Sequence, residues 1–331
     1  MKTNKYIRIQ VCNIVLICAM ISGISNCFAS DVTSAEIFGS IKNRENVIKS
    51  DTYKTATFSL LTQDLKSDPN HGHLLRDCSL VWKKDDTRMK IVYNYRHDPI
   101  YISPDSKGSQ PINYDKDKRR IVWRKVETYI ISTSEKIEML DKLQSMCVSP
   151  NGDIEKFPGV FTAKHIFREG SNLSGDGHFK YFLLAAGLSF SNYIDVNSID
   201  IIKMPNGNSM EINSSGIFRV NTKGRWKLTV DSNEGYFVRE ASFTMEGLDK
   251  PSLELSTSNV IKKDGLEYAR RGRIVFNNEP RDYRDYEDID ICVKDNQELR
   301  QEIEQQLEEP LPVGSQIIDF AGGKPTVTTI K

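Results

Sequence analysis

The stretch 224–247, GRWKLTVDSNEGYFVREASFTMEG, limits most strongly what this chain can fold into. Trp226, Leu228 and Val230 alternate with Arg225, Lys227 and Thr229, the period-two pattern of a strand with one dry face and one wet face. Residues 231–235 read as a turn. Beyond it Phe237, Ala241, Phe243 and Met245 are expected on one face, and Val238, Glu240, Ser242 and Thr244 on the other. Burying a large apolar side chain contributes about 1.5–3 kcal/mol, so one wall of this hairpin has to be covered.

The start of the chain points to export. Lys2, Lys5 and Arg8 precede an apolar run over 11–24, and Cys27-Phe28-Ala29 offers a small-x-small cleavage pattern. The apolar run is shorter than the roughly 20 residues that span a bilayer, which favours a signal peptide over 1–29. Lipidation at Cys27, with Ile24-Ser25-Asn26 before it, is the alternative, although Asn26 sits where such motifs prefer a small residue. No later segment is apolar enough to cross a membrane. Removing residues 1–30 takes away three basic and no acidic side chains, leaving 42 basic against 45 acidic. That near balance lacks the clustered basic footprint of a nucleic-acid binder. Cys78, Cys147 and Cys292 remain; one disulfide among them is possible in an oxidising compartment, but Cys78 on a strand face and Cys147 on a helical face read as packed thiols.

Taken in order, residues 33–49 read as a helix capped by Thr33 or Ser34, with Ile37, Ile41 and Ile48 on its apolar stripe. Strands follow over 52–62, 73–83, 88–96 and 119–131. Ser132-Thr133-Ser134-Glu135 has capping-box spacing, and Ile137, Leu140, Leu143 and Cys147 recur at helical intervals, so a helix is expected over 133–148. A second, apolar helix is expected over 178–188. Strands resume over 199–204 and 210–220, joined by an Asn206-Gly207 turn, then the opening hairpin, 253–261 and 267–277. Residues 281–288 are charged and aromatic without periodicity, 295–309 read as a solvated helix, and the remainder as an extended tail. This gives an α+β chain: an antiparallel, curved sheet of roughly ten strands over residues 30–277, with helices on its concave face and an appendage over 278–331.

Catalytic and metal motifs are weak. Gly187-Leu188-Ser189-Phe190-Ser191 departs from a nucleophile elbow at its last position and follows a helix. His71-Gly72-His73 has no nearby ligand at metal-site spacing, and Gly175-Asp176-Gly177-His178-Phe179-Lys180 is half of a phosphate loop. Asp282, Asp285, Glu287, Asp288 and Asp290 lack the spacing of a calcium loop and read as a solvated face. No cofactor, metal site or catalytic cluster is expected.

The strand Gly224-x-Trp226-x-Leu228-x-Val230-Asp231 with 236–241 after it, and the closing Leu311-Pro312-x-Gly314 with Asp319, resemble exported proteins of the LolA/LolB-like lipoprotein-carrier type over about residues 31–277. The resemblance implies an incomplete barrel around an apolar cavity that receives acyl chains and is plugged by helices. The same half-barrel also serves as a sensor or anchoring module. On that basis Phe58, Leu60, Trp82, Tyr93, Trp123, Trp226, Leu228 and Phe243 are expected to line the cavity, with Phe182 and Leu183 from the 178–188 helix and the 133–148 helix as a further lid. The other reading of the same residues is a filled core. Expected partners are a lipid or acylated protein, with an envelope protein meeting the C-terminal segment as the alternative function.

Overall fold

The structure, a computed structural model, describes residues 32–62, 74–97, 121–148, 154–168, 177–204, 208–218, 222–277, 282–320 and 325–331. The expected signal peptide, the His71-Gly72-His73 motif, Gly175-Asp176 and the Asn206-Gly207 turn lie outside them. Helix α1 (Ser34–Asn46) leads into β1 (Lys54–Thr62), β2 (Leu74–Lys83), β3 (Asp86–His97), β4 (Ile121–Thr133), β5 (Lys136–Val148) and β6 (Ile154–Arg168). Then come α2 (Gly177–Ala185), β7 (Asp200–Lys203), β8 (Ser209–Phe218), β9 (Thr222–Asp231), β10 (Phe237–Met245), β11 (Leu253–Lys263) and β12 (Leu266–Phe276). The chain closes with β13 (Asp282–Cys292), α3 (Gln297–Glu308), β14 (Gln316–Asp319) and β15 (Thr326–Thr329).

The fifteen strands of the described residues form one sheet in the order β15-β14-β6-β5-β4-β3-β2-β1-β13-β12-β11-β10-β9-β8-β7. Its two ends do not meet, so the barrel is open. Curvature follows from α2. Phe179 reaches Trp82 on β2, with ring centroids 5.7 Å apart, while Tyr181 reaches Phe218 on β8 at 6.1 Å. Seven inter-strand steps separate β2 from β8, about 34 Å in a flat sheet, so the sheet has to wrap around the helix.

The five strands beyond the expected ten are β5, β6, β13, β14 and β15. The helix expected over 133–148 is instead β5, hairpinned to β4 with Tyr129 opposite Leu140 and Ser132 opposite Ile137. Thr133 Oγ1 accepts from the Glu135 and Lys136 amides, the same bonds an N-cap would make, but closes a turn between strands. Ile137 and Met139 face the concave core while Leu140 faces a second cluster on the outer side. Apolar residues on both faces of a strand thus reproduced the three-residue spacing of a helix. Cys147 accordingly lies on a strand, and its side chain falls outside the described ones.

Residues 282–292, expected to lack regular structure and to belong to an appendage, form β13, paired with β1 on one side and β12 on the other. A bulge explains the hidden period. Thr57 faces Asp290 and Ser59 faces Glu287, so β13 carries one extra residue, with Asp288 at φ 51°. Tyr286 is buried before the bulge, Ile289 and Ile291 after it, and the buried parity switches from even to odd. A bulge at Arg239 does the same in β10: Val238 joins the core with Ala241 and Phe243, whereas Met245 is exposed.

The sheet is not wholly antiparallel, because β14 runs parallel to β6. Alternating directions from β13 through β1–β6 make β13 and β14 run the same way, and the connection between them is a crossover through α3, as parallel strands require. Helix α3, expected to be solvated, buries Ile303 and Leu307 against Tyr129 and Leu140 on the outer face. Lys90 pairs there with Glu302 and Arg88 with Glu304. Concave cover therefore comes from α1 and α2. Thr33 and Glu36 form a capping box at the start of α1, and its Ile37 and Ile41 are buried.

Candidate functional site: the concave face of the half-barrel

Two regions of the concave face differ. Between β8 and β13 the face is sealed. Trp226, Phe243, Phe218, Phe190 and Tyr193 form a continuous aromatic cluster with centroid distances of 5.1–6.2 Å. Trp226 Nε1 donates to Ile217 O at 3.2 Å, so its one polar group is satisfied inside the core. The turn that ends helix α2 is seated by backbone as well as side chains: Ala269 N donates to Ala186 O at 2.9 Å. A Cβ at Gly272 would stand 2.1 Å from Ala185 O, and one at Gly187 would stand 2.2 Å from the Phe237 ring, so both glycines permit an approach no other residue allows.

Helix α1 is fastened to this sealed region by polar contacts. Arg44 donates to Gly235 O at 2.8 Å and pairs with Glu267 at 3.1 Å. The buried Glu45 accepts from the Ser191 amide at 3.2 Å and from the Ser191 hydroxyl, with Lys49 Nζ 3.4 Å away. Burial raises the Glu45 carboxyl above its ordinary value against these hydrogen bonds.

Between β3 and β6 the same face is less evenly covered: Met89, Ile91, Val126, Thr128, Ile130 and Ala163 are buried, while β5 is only half-buried there. Register places Met89, Ile91 and Tyr93 of β3 beside Ile130, Thr128 and Val126 of β4, then Met139, Asp141 and Leu143 of β5. His165, Ala163 and Phe161 of β6 complete the rows. Tyr93, Ile137, Met139, Asp141, Leu143 and His165 are half-buried, as are Ile318 and Phe320 beyond them. The Phe167 and Phe320 rings stack at 4.5 Å, continuing the apolar surface past the sheet's parallel pair.

Of the residues expected to line a cavity, Phe58, Leu60, Trp82, Phe182, Leu183, Trp226, Leu228 and Phe243 are all buried in one cluster. Phe58 and Phe182 stack on each other at 4.5 Å, so these side chains fill one another's space in this conformation. Tyr93 packs at the margin of that cluster and is half-buried. Trp123 falls on the strand parity of Tyr129, the outer-face parity, and its side chain lies outside the described ones. A groove of about 680 Å³ lies at the ends of β8, β9 and β10, lined by Ile217, Lys223, Arg225, Met245 and Glu246, and one of about 280 Å³ runs over Lys227, Glu240, Ser242 and Arg273. Neither is lined by an expected residue.

Sequence reasoning missed Ile91, Met139, Asp141 and His165. The misassigned helix hid two of them, and 154–168 carried no assignment. The signal available was the alternation of Ile137, Met139, Asp141 and Leu143 with Glu138, Leu140, Lys142 and Gln144.

The serine motif and the acidic segment singled out in the sequence make the following contacts. Ser189 holds a left-handed φ of 74°, but it is buried and its hydroxyl accepts from Asn192 at 2.7 Å. Asp290 is taken by Lys263 at 2.6 Å, Asp285 stands 3.5 Å from Arg273 and Asp288 3.6 Å from Arg270. Among the described residues no group of three or more His, Cys, Asp or Glu is placed to hold a metal ion, and no helix is long and apolar enough to cross a membrane.

No family model matches the chain, and no curated protein sequence matches it. The open half-barrel plugged by helices is the fold that the LolA-like resemblance implied. Three solved structures are similar to the chain at low identity. A putative outer membrane lipoprotein-sorting protein domain from Vibrio parahaemolyticus shares 8% identity at a TM-score of 0.41, covering 82% of this chain and 99% of its own. A LolA superfamily protein from Nitrosomonas europaea shares 10% at 0.39, covering 80% and 94%. A DUF1329 family protein from Desulfovibrio piger shares 9% at 0.34, covering 76% and 90%. The half-barrel description itself rests on strand order and packing.

Proposed function

We propose that this chain is an exported, non-enzymatic protein that binds a lipid or an acylated partner on the concave face of its half-barrel. The observation that carries the reading is the half-buried apolar surface of β5 beside a sealed core: Ile137, Met139 and Leu143 remain partly open to solvent on the side the sheet curves around. Apolar burial there is weakly directional and suits acyl chains of varied length. Tyr93 borders this surface. The expected lining residues Phe58, Leu60, Phe182 and Leu183 would join it only if α2 moved. Lys2, Lys5, Arg8 and the apolar run over 11–24 support export.

Native mass spectrometry of protein purified from its own host is expected to show co-purifying lipid or acyl species. Repeated recovery of empty protein that also ignores fluorescent fatty acids would overturn the reading.

A second reading, an envelope scaffold, has one observation in its favour. The edge strand β15 is exposed along its whole length, with one side paired to β14, and such an edge can accept another chain's strand. Co-purification of a protein partner lost on deleting 325–331, with lipid content unchanged, would favour it.

A further inference from the structure

A polar island interrupts the apolar concave surface. Thr128, Asp141 and Ala163 lie across from one another on β4, β5 and β6, and His165 is two residues further along β6 on the same face. Thr128 Oγ1 donates to Asp141 Oδ1 at 2.6 Å, and His165 Nε2 stands 3.3 Å from Asp141 Oδ2. The surroundings are apolar. Ile91 is opposite Thr128, Met139 is opposite both Ile130 and His165, and the His165 ring stacks near Phe167 and Phe320 at 6.3 and 6.4 Å.

A carboxylate in such a surface is costly unless it is compensated. Asp141 avoids full burial: its side chain is 30% exposed and that of His165 19%, so the carboxylate opens onto the concave side and not into the sealed core. An ionised carboxylate has about four acceptor sites; Thr128 occupies one of them, and His165 Nε2 stands beside the other oxygen. The order of the three groups is not that of a nucleophilic triad. The acid stands between hydroxyl and imidazole, and no base adjoins Thr128 through these contacts. On the same face Arg76 lies three strands away with its guanidinium 5.3 Å over the Tyr93 ring, and on the reverse face Lys164 and Glu138 offset each other at 3.7 Å.

Resting on the amphiphile-binding reading above, we propose that Asp141, held by Thr128 and His165, anchors the head of the ligand. The head it fits is a cationic hydrogen-bond donor, an alkyl ammonium, with the chain lying over the half-buried Ile137, Met139 and Leu143 of the same strand face. Charge-assisted bonding gives the head its direction, and the apolar rows bind the tail.

Isothermal titration of the full chain with dodecylammonium and with dodecanoate, which share one tail length, tests this. The ammonium is expected to bind tighter by about tenfold or more. Asp141→Asn, an isosteric change, should bring that ratio close to one through the ammonium affinity alone. Thr128→Val should reduce the ratio part-way, and it carries the test if the first variant does not fold. Equal affinities in the unaltered protein, or a ratio that either folded variant leaves unchanged, would overturn the anchor while leaving amphiphile binding intact. Binding of neither compound would overturn both.

Discussion

Trp226 on β9 and Met139 on β5 belong to the concave face of one sheet, yet they live in different surroundings. Trp226 is enclosed by Phe190, Tyr193, Phe218 and Phe243, and the end of α2 is locked over that region by a backbone hydrogen bond and two close glycine approaches. Met139 has apolar neighbours in its row but remains half-buried, with Asp141 beside it. The reverse faces differ in the opposite sense. Behind β3–β5 lies α3, while the sheet behind β9–β12 presents Lys227, Glu240, Ser242 and Arg273 to solvent. One region spends its apolar surface on holding the fold together, and the other keeps part of it available because its stability comes also from the helix on the outside.

The strongest test of that division removes residues 278–331. Because β13 sits between β1 and β12, the truncation splits the sheet, and loss of a cooperative thermal transition by circular dichroism is expected. A truncated protein that still melts cooperatively would show that the two regions fold separately.

A smaller effect separates the regions directly. Trp226→Ala is expected to cost about 3–5 kcal/mol in urea unfolding, as for a large side chain lost from a closed core. Met139→Ala, at a half-buried position, should cost about 1 kcal/mol and lower fluorescent fatty-acid binding more than it lowers stability. Equal costs at the two positions would erase the distinction.

The smallest effect concerns the fastening of α1. Glu45 has a folded-state pKa raised by burial, so its contribution to stability is fully present below the ordinary carboxylate value and is lost as pH rises through the raised one. The midpoint of unfolding should fall over that interval, and Glu45→Gln should flatten it. A profile unaffected by the substitution would show that the carboxyl is already solvated.

The alternation of Trp226, Leu228 and Val230 and the capped helix from Thr33 were legible because each has one buried side and an uninterrupted period, and the helix near residues 178–188 because it is an almost continuous apolar run buried on nearly every side. From these the sequence alone determined a one-sidedly apolar sheet with helical cover. Tertiary structure decided what local pattern could not. It made 136–148 a strand, because α3 covers the reverse of a surface that already faced the core, and two-sided burial mimics helical spacing. It placed the acidic segment Asp282–Cys292 at the heart of the sheet, where the bulge at Asp288 shifts the buried parity by one residue. It also brought Thr128, Asp141 and His165 together, since cross-strand register joins residues that are 13 and 24 positions apart in the chain. Whether an apolar side chain is sealed or left half-open depends on which distant element covers it, and that is a property of the whole curved sheet and not of any stretch within it.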